Sequence, residues 1–377
     1  MKTMKMMVSA CLAALAFTAC QQPDEVITPT SKMKSIDVSL NNAVISRGDA
    51  GTKIEAGKAI NVNSLKIFLL GNDGTEYTAK TSDGKSEAQS WWASTDLSNK
   101  TFEASFHYVD NGCTKIVAVA NIDSDLSYSD FLQMNSLSVD NEQDATNLTL
   151  YAESELIAKG HDTDTNEDGT TYLTDLFQAD LTLYPRISRF EVDGFSIKFQ
   201  NPALFQSIKI TDILFQNYHS TCALATGVEG SEITNFVDVD NQAEVFNYFN
   251  GTNDGSKWYW DSFSVELSPS TPSGKTATPL AYHIFAGSTI PKMVIKMLAD
   301  DQPAYIHSRG FYSATESENG QPKAITSFAE GKIYRMSTVG DDGLIPIKEE
   351  TINPMERCID ISVTVEDWVV ELVYPEF

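Results

Sequence analysis

The sequence is short of basic residues. Against 52 Asp and Glu it sets 27 Lys and Arg, a formal net charge of −25. Phosphate backbones are bound by clustered cations, so a nucleic-acid partner is excluded, as is electrostatic docking on an anionic lipid surface. Long apolar runs are missing too. Beyond residue 20 no stretch of about 18 apolar residues occurs, so no transmembrane helix is expected there. Cysteine is scarce: there are five in 377 residues. Two of them, Cys11 and Cys20, belong to the N-terminal segment, which leaves Cys113, Cys222 and Cys358. That odd set has no zinc spacing, and it reads either as buried small side chains or as one disulfide with a thiol left over. Catalytic signatures are also lacking. His107, His161, His219, His283 and His307 are scattered, and HExxH, GxSxG, P-loop and GxGxxG patterns do not occur. An enzyme is not expected, nor an organic cofactor.

What is present begins with Lys2 and Lys5, followed by the apolar stretch from Met6 to Ala19 and then Cys20. A charged start, a short apolar core and small residues before a cut describe a secretory signal over residues 1–19, too short to span a bilayer. A cysteine at that point looks like the lipobox of bacterial lipoproteins. That likeness implies an acylated Cys20 and an envelope address. Residues 21–34 are polar and contain Pro23 and Pro29, as in a tether.

From Ile36 onward the dominant period is two. Ile36, Val38 and Leu40 alternate with Asp37, Ser39 and Asn41, and Leu65, Ile67 and Leu69 repeat the pattern before a turn at residues 72–74. The run of apolar residues at 115–121 suits a central strand. Further strands are expected at 148–151, 181–183, 190–199, 207–215, 262–267, 281–285, 293–297 and 332–336. Short strands between Gly, Asn, Asp and Ser clusters predict an all-β protein of β-sandwiches. Few helices are expected, with 242–249 a candidate for one short turn or helix, and residues 268–279, rich in Ser, Thr, Pro and Gly, read as an exposed hairpin or domain-edge loop. Pro185 cannot donate to a central ladder, so a boundary is expected at Tyr184-Pro185-Arg186. Domains are thus expected at 48–185 and 186–377, in keeping with the length.

The two ends echo each other. Ile36-Asp37-Val38-Ser39-Leu40 nearly recurs as Ile359-Asp360-Ile361-Ser362-Val363, and the second copy runs on through Val365, Trp368, Val370, Leu372 and Tyr374. Strands with one apolar spacing can fill one groove, because the side-chain period fixes the buried face. Between the first copy and the body lies Ser46-Arg47-Gly48-Asp49, which suits a trypsin-like cut between Arg47 and Gly48 in an exposed loop. Such a cut would turn residues 20–47 into a removable propeptide carrying the first strand. The tail of another subunit could then add its strand in that place. Two plain edge strands are the other reading. Arg47-Gly48-Asp49 also spells an integrin tripeptide, which the cut would destroy.

One acidic stretch has metal-like spacing. Asp164, Asn166, Asp168 and Thr170, with Gly169 for the turn and Asp175 at the twelfth position, follow an EF-hand-type calcium loop. The twelfth residue is Asp where bidentate Glu is usual, and a solvated acidic hairpin is the alternative. Trp91-Trp92 and Trp258-Tyr259-Trp260 could present rings to a sugar; core packing is the competing reading.

The lipobox and Arg47 recur alongside Lys115-Ile-Val-Ala-Val-Ala-Asn-Ile122, Arg186-Ile-Ser-Arg-Phe-Glu-Val192, Phe328-Ala-Glu-Gly-Lys-Ile-Tyr-Arg335 and Cys358-Ile-Asp-Ile-Ser-Val-Thr-Val-Glu-Asp-Trp368. In that order and spacing, from Cys20 to Phe377, the chain resembles the type V pilins of Bacteroidales, lipoprotein-precursor fimbrial subunits related to FimA and Mfa1. The resemblance implies two transthyretin-like β-sandwich domains in tandem and export as an outer-membrane lipoprotein. It also implies cleavage after Arg47 by an arginine-specific protease and strand exchange into a cell-surface fimbria that supports adhesion. Ile359, Ile361, Val363, Val365, Trp368, Val370, Leu372 and Tyr374 then take the donor position. Other fimbrial subunits, in a homopolymer or with tip and anchor subunits, become the partners. A tip adhesin or glycan-binding surface lipoprotein is the alternative.

Overall fold

The computed structural model describes residues 33–40, 59–93, 102–122, 125–133, 136–145, 147–165, 171–233, 236–253, 257–338, 341–342, 344–352, 358–367 and 369–372. The protein is all-β and is built as β-sandwiches. In the first half one sheet runs in the order Ile157–Thr165, Thr171–Leu181, Met33–Leu40, Glu103–Asp110. The other runs Tyr184–Pro185, Leu150–Glu155, Lys115–Ala120, Ser64–Leu70, Glu76–Tyr77, with Trp91–Ala93 also on Ser64–Leu70. Alternation along Met33–Leu40 sends Ile36, Val38 and Leu40 into one core with Ile67, Leu69, Ile116 and Ala118. Lys115–Ala120 is central, as its continuous apolar run requires.

Ser64–Leu70 is buried at every position. A helix, Tyr128–Gln133, covers its second face, with Tyr128 and Phe131 rings 5.3 and 5.4 Å from Phe68. The sequence did not suggest this helix; six residues are too few to display a helical period.

The second half is built mainly on one 11-stranded sheet. Its main order is Trp260–Leu267, Ile208–Gln216, Lys292–Ala299, Gln302–Glu318, Cys358–Asp367, Lys332–Thr338, Ile187–Lys198, Ser273–Phe285. The first and last of these strands are joined by a tight turn closed by Ser268 and Thr271. The sheet therefore curls over itself. Phe195 stacks on Phe263 at 5.5 Å and Phe215 on Tyr282 at 4.5 Å, closing a second sandwich.

Of the two readings of 268–279 the structure shows the hairpin: the stretch is largely exposed, the turn is short, and residues from Ser273 pair with Ile187–Lys198. Gly194 makes the pairing possible, since a Cβ there would sit 2.2 Å from the Gly274 carbonyl oxygen. Tyr184–Pro185 ends the first half as an edge pair with Leu150–Glu155, and Ile187–Lys198 opens the second sheet. The helix expected near 242–249 is present as Gln242–Phe249, where the Asn241 side chain accepts from the Glu244 amide at 3.4 Å. Its Val245 and Phe249 join Trp260 and Tyr305 in a small separate core.

Candidate functional site

Met33–Leu40 is not an edge strand. Thr171–Leu181 pairs with it in parallel on one side and Glu103–Asp110 antiparallel on the other. Ile36, Val38 and Leu40 are buried, while Asp37 faces solvent and accepts from the Ser105 hydroxyl at 2.6 Å. Ser39 donates to Asp180 at 2.8 Å. Lys34 is buried as well. Its ammonium donates to the Cys113 carbonyl at 2.6 Å and lies 4.6 Å from the centre of the Phe177 ring. The strand thus fills a slot lined on both edges by main chain.

The tail fills a slot of the same kind. Cys358–Asp367 lies between Gln302–Glu318, parallel, and Lys332–Thr338, antiparallel. Ile361 and Val363 are buried there. The echo is in phase: aligned residue by residue, Val38 and Ile361 are both buried, and so are Leu40 and Val363. The next strand, Val369–Leu372, carries Val370 and Leu372 and pairs in parallel with Ala59–Val62 of the first half. The side chains of Ile359, Val365, Val370 and Leu372, and all of Trp368 and Tyr374, lie outside the described residues.

Cys20, Arg47, Gly48, Asn166, Asp168 and Thr170 also lie outside the described residues, as does the side chain of Asp164. The flanks of the acidic stretch form a regular hairpin in which Asp164 stands opposite Tyr172 and Asp175 opposite His161. Three strand positions, about 10 Å, separate Asp175 from Tyr172. The residues between the flanks, 166–170, which would complete a metal loop, lie outside the described residues. Asp175 accepts from His161 Nδ1 at 2.6 Å.

Among the described residues Cys113 and Cys222 are free and buried, and burial pushes both thiols up to about 11. Trp260 is buried and donates to Asp212 at 3.2 Å. Trp258 packs on Tyr218, with ring centres 5.2 Å apart, and donates to Asp140 at 2.6 Å. These rings form no open platform.

The contact between the halves has no counterpart in the sequence reading. Ser136–Ser138 pairs with Thr221–Ala223. The Gln143 side chain donates to the His283 carbonyl at 2.8 Å and accepts from the His283 amide at 3.2 Å. Arg189 donates to His283 Nε2 at 2.7 Å, so that nitrogen is the acceptor. The proton sits on Nδ1, which donates to the Glu142 carbonyl at 2.8 Å. Burial first, and then the Arg189 charge, hold the His283 pKa well below its ordinary value. Glu191 lies between two guanidiniums, accepting from Arg189 at 2.8 Å and from Arg335 at 2.9 Å. Arg189, Glu191 and His283 are fully buried. The spacing Arg189-x-Glu191 places both on one strand face, a sequence signal that could have pointed here.

No family model matches this chain, and no curated protein is similar to it in sequence. Solved structures are similar. With a candidate cell-adhesion protein from Parabacteroides distasonis the chain shares 14% identity at a TM-score of 0.50, covering 92% of this chain and 99% of that one. A candidate cell-adhesion protein from Bacteroides eggerthii gives 15% identity, 92% and 99% coverage and a TM-score of 0.45. The fimbrilin FimA of Porphyromonas gingivalis gives 10%, 89% and 98%, and 0.46. The first of these likenesses establishes a shared fold.

Proposed function

We propose that this chain is a structural subunit of a cell-surface fimbria, made as an outer-membrane lipoprotein anchored through Cys20, cleaved after Arg47 and polymerised by strand exchange. The carrying observation is the position of Met33–Leu40. It is an interior strand that buries three apolar side chains, yet it joins the body only through residues 41–58, where Arg47 stands. Each of those side chains contributes roughly 1.5–3 kcal/mol when fully buried. While covalently attached the strand refills its slot at high effective concentration; after a cut it becomes a separable peptide and a competitor can win. The tail is that competitor, because its apolar phase matches and its native place offers the same pair of neighbours. Val369–Leu372, paired along one edge among the described residues, is the section released at lower cost. The role is that of a building block, with other fimbrial subunits as partners and an arginine-specific protease as trigger. The shared fold with a candidate cell-adhesion protein supports this reading.

The test is Arg47→Ala in the full chain, beside a variant ending before Ile359. Arg47→Ala should accumulate as a lipidated monomer with Cys20 at its N-terminus. The truncated variant should be processed but join no polymer as donor. Fimbriae of normal length from the Arg47→Ala protein, still bearing Cys20, would falsify the mechanism.

A further inference from the structure

Where the segment from Ser136 to Gln143 passes between the halves, a cavity of about 410 Å3 opens. That lies within the range of about 300–1,000 Å3 typical of ligand sites. Phe131, Leu137 and Leu224 give it an apolar wall. Asn141 and Asn147 stand exposed at its rim, and Glu142, 3% exposed, lies within. The Glu142 carboxyl accepts from the Thr149 amide at 2.9 Å and from the Thr149 hydroxyl at 2.8 Å, one bond to each oxygen. Each oxygen keeps a lone pair for another donor. No Lys, Arg or His side chain lines the cavity among the described residues.

These features select a ligand chemistry. A buried carboxyl without a lining cation repels anions. A single carboxyl, with amides and hydroxyls around it, suits hydroxyl donors better than a polycation. An apolar wall opposite polar groups matches a molecule with one C–H face and a ring of hydroxyls. Burial raises the Glu142 carboxyl to about 7, so near neutrality it can either accept from or donate to such a hydroxyl. We propose that this junction cavity binds a neutral sugar residue, with Phe131, Leu137 and Leu224 against its C–H face and Asn141, Asn147 and Glu142 at its hydroxyls. The lining residues belong neither to the first strand nor to the tail, so the site is independent of strand exchange. Leu224 lies across the junction from the other named residues, so an occupant touches both halves.

The experiment is saturation-transfer NMR on the full chain with methyl glycosides of glucose, galactose, mannose, fucose and N-acetylglucosamine, repeated for Asn141→Ala and Asn147→Ala. Both positions are exposed, so the variants should fold, and circular dichroism checks that they do. At least one glycoside should give transfer, with binding about five- to tenfold weaker in each variant, the loss of one hydrogen bond. Silence across the panel at millimolar sugar overturns the proposal, as does binding unchanged in both variants. Glucosamine bound more tightly than every neutral sugar would also overturn it, because the site would then be one for a cation.

Discussion

Glu142 and His283 meet at the junction and titrate in opposite senses. Burial raises the Glu142 carboxyl from 4.5 to about 7. The folded chain therefore holds that proton more tightly than the unfolded chain. The stability it contributes is fully present below about 4.5 and is lost as pH rises through about 7. His283 is held neutral, below its ordinary 6.5. Its contribution is present above that value and is lost as pH falls toward the lowered one. The junction should be firmest between the two. Glu142→Gln removes only the first slope. In urea titrations it should be more stable than the wild type at about pH 8 by up to about 3 kcal/mol, and within about 1 kcal/mol of it at about pH 5. Parallel pH profiles for the two proteins would contradict the assignment.

Strands differ in how plainly they announce themselves. Met33–Leu40 was readable because one of its faces is core and the other polar, so Asp37 and Ser39 punctuate Ile36, Val38 and Leu40. The same contrast gives a test. Ile36→Ala should lower the stability of the uncleaved chain by about 2–4 kcal/mol, whereas Asp37→Asn should change it by less than about 1 kcal/mol. Equal effects on the urea midpoint would mean that the strand is not held by its apolar face. Ser64–Leu70 showed alternation at Leu65, Ile67 and Leu69 but hid its second buried face, because nothing local reveals the helix that covers it. Gln302–Glu318 was not legible at all. It is long and largely polar, and its parallel neighbour Cys358–Asp367 lies far along the chain. The junction was hidden for the same reason, with Gln143 and His283 separated by 140 residues. Of the acidic stretch the sequence showed the spacing but not the register of its flanks, which sets Asp164 opposite Tyr172 and Asp175 opposite His161.

At the scale of the whole molecule, the buried charges beside the junction tie the second sheet together. Arg189 and Glu191 stand on Ile187–Lys198, Arg335 on Lys332–Thr338 and His283 on Ser273–Phe285. Glu191→Gln leaves two guanidiniums without their shared counter-charge and should cost about 3–5 kcal/mol, read as a fall in the urea midpoint. A loss below about 1 kcal/mol would mean that Arg335 finds water at little expense. The first strand has a consequence of another sort, a mechanical one. Its ladders lie on both sides and run along its length. Tension applied along its axis loads the rungs of both ladders together, in shear. A pull across the axis would part them one after another. Resistance to lengthwise force is thus a property of the slot, and any strand seated there inherits it, whichever chain that strand comes from.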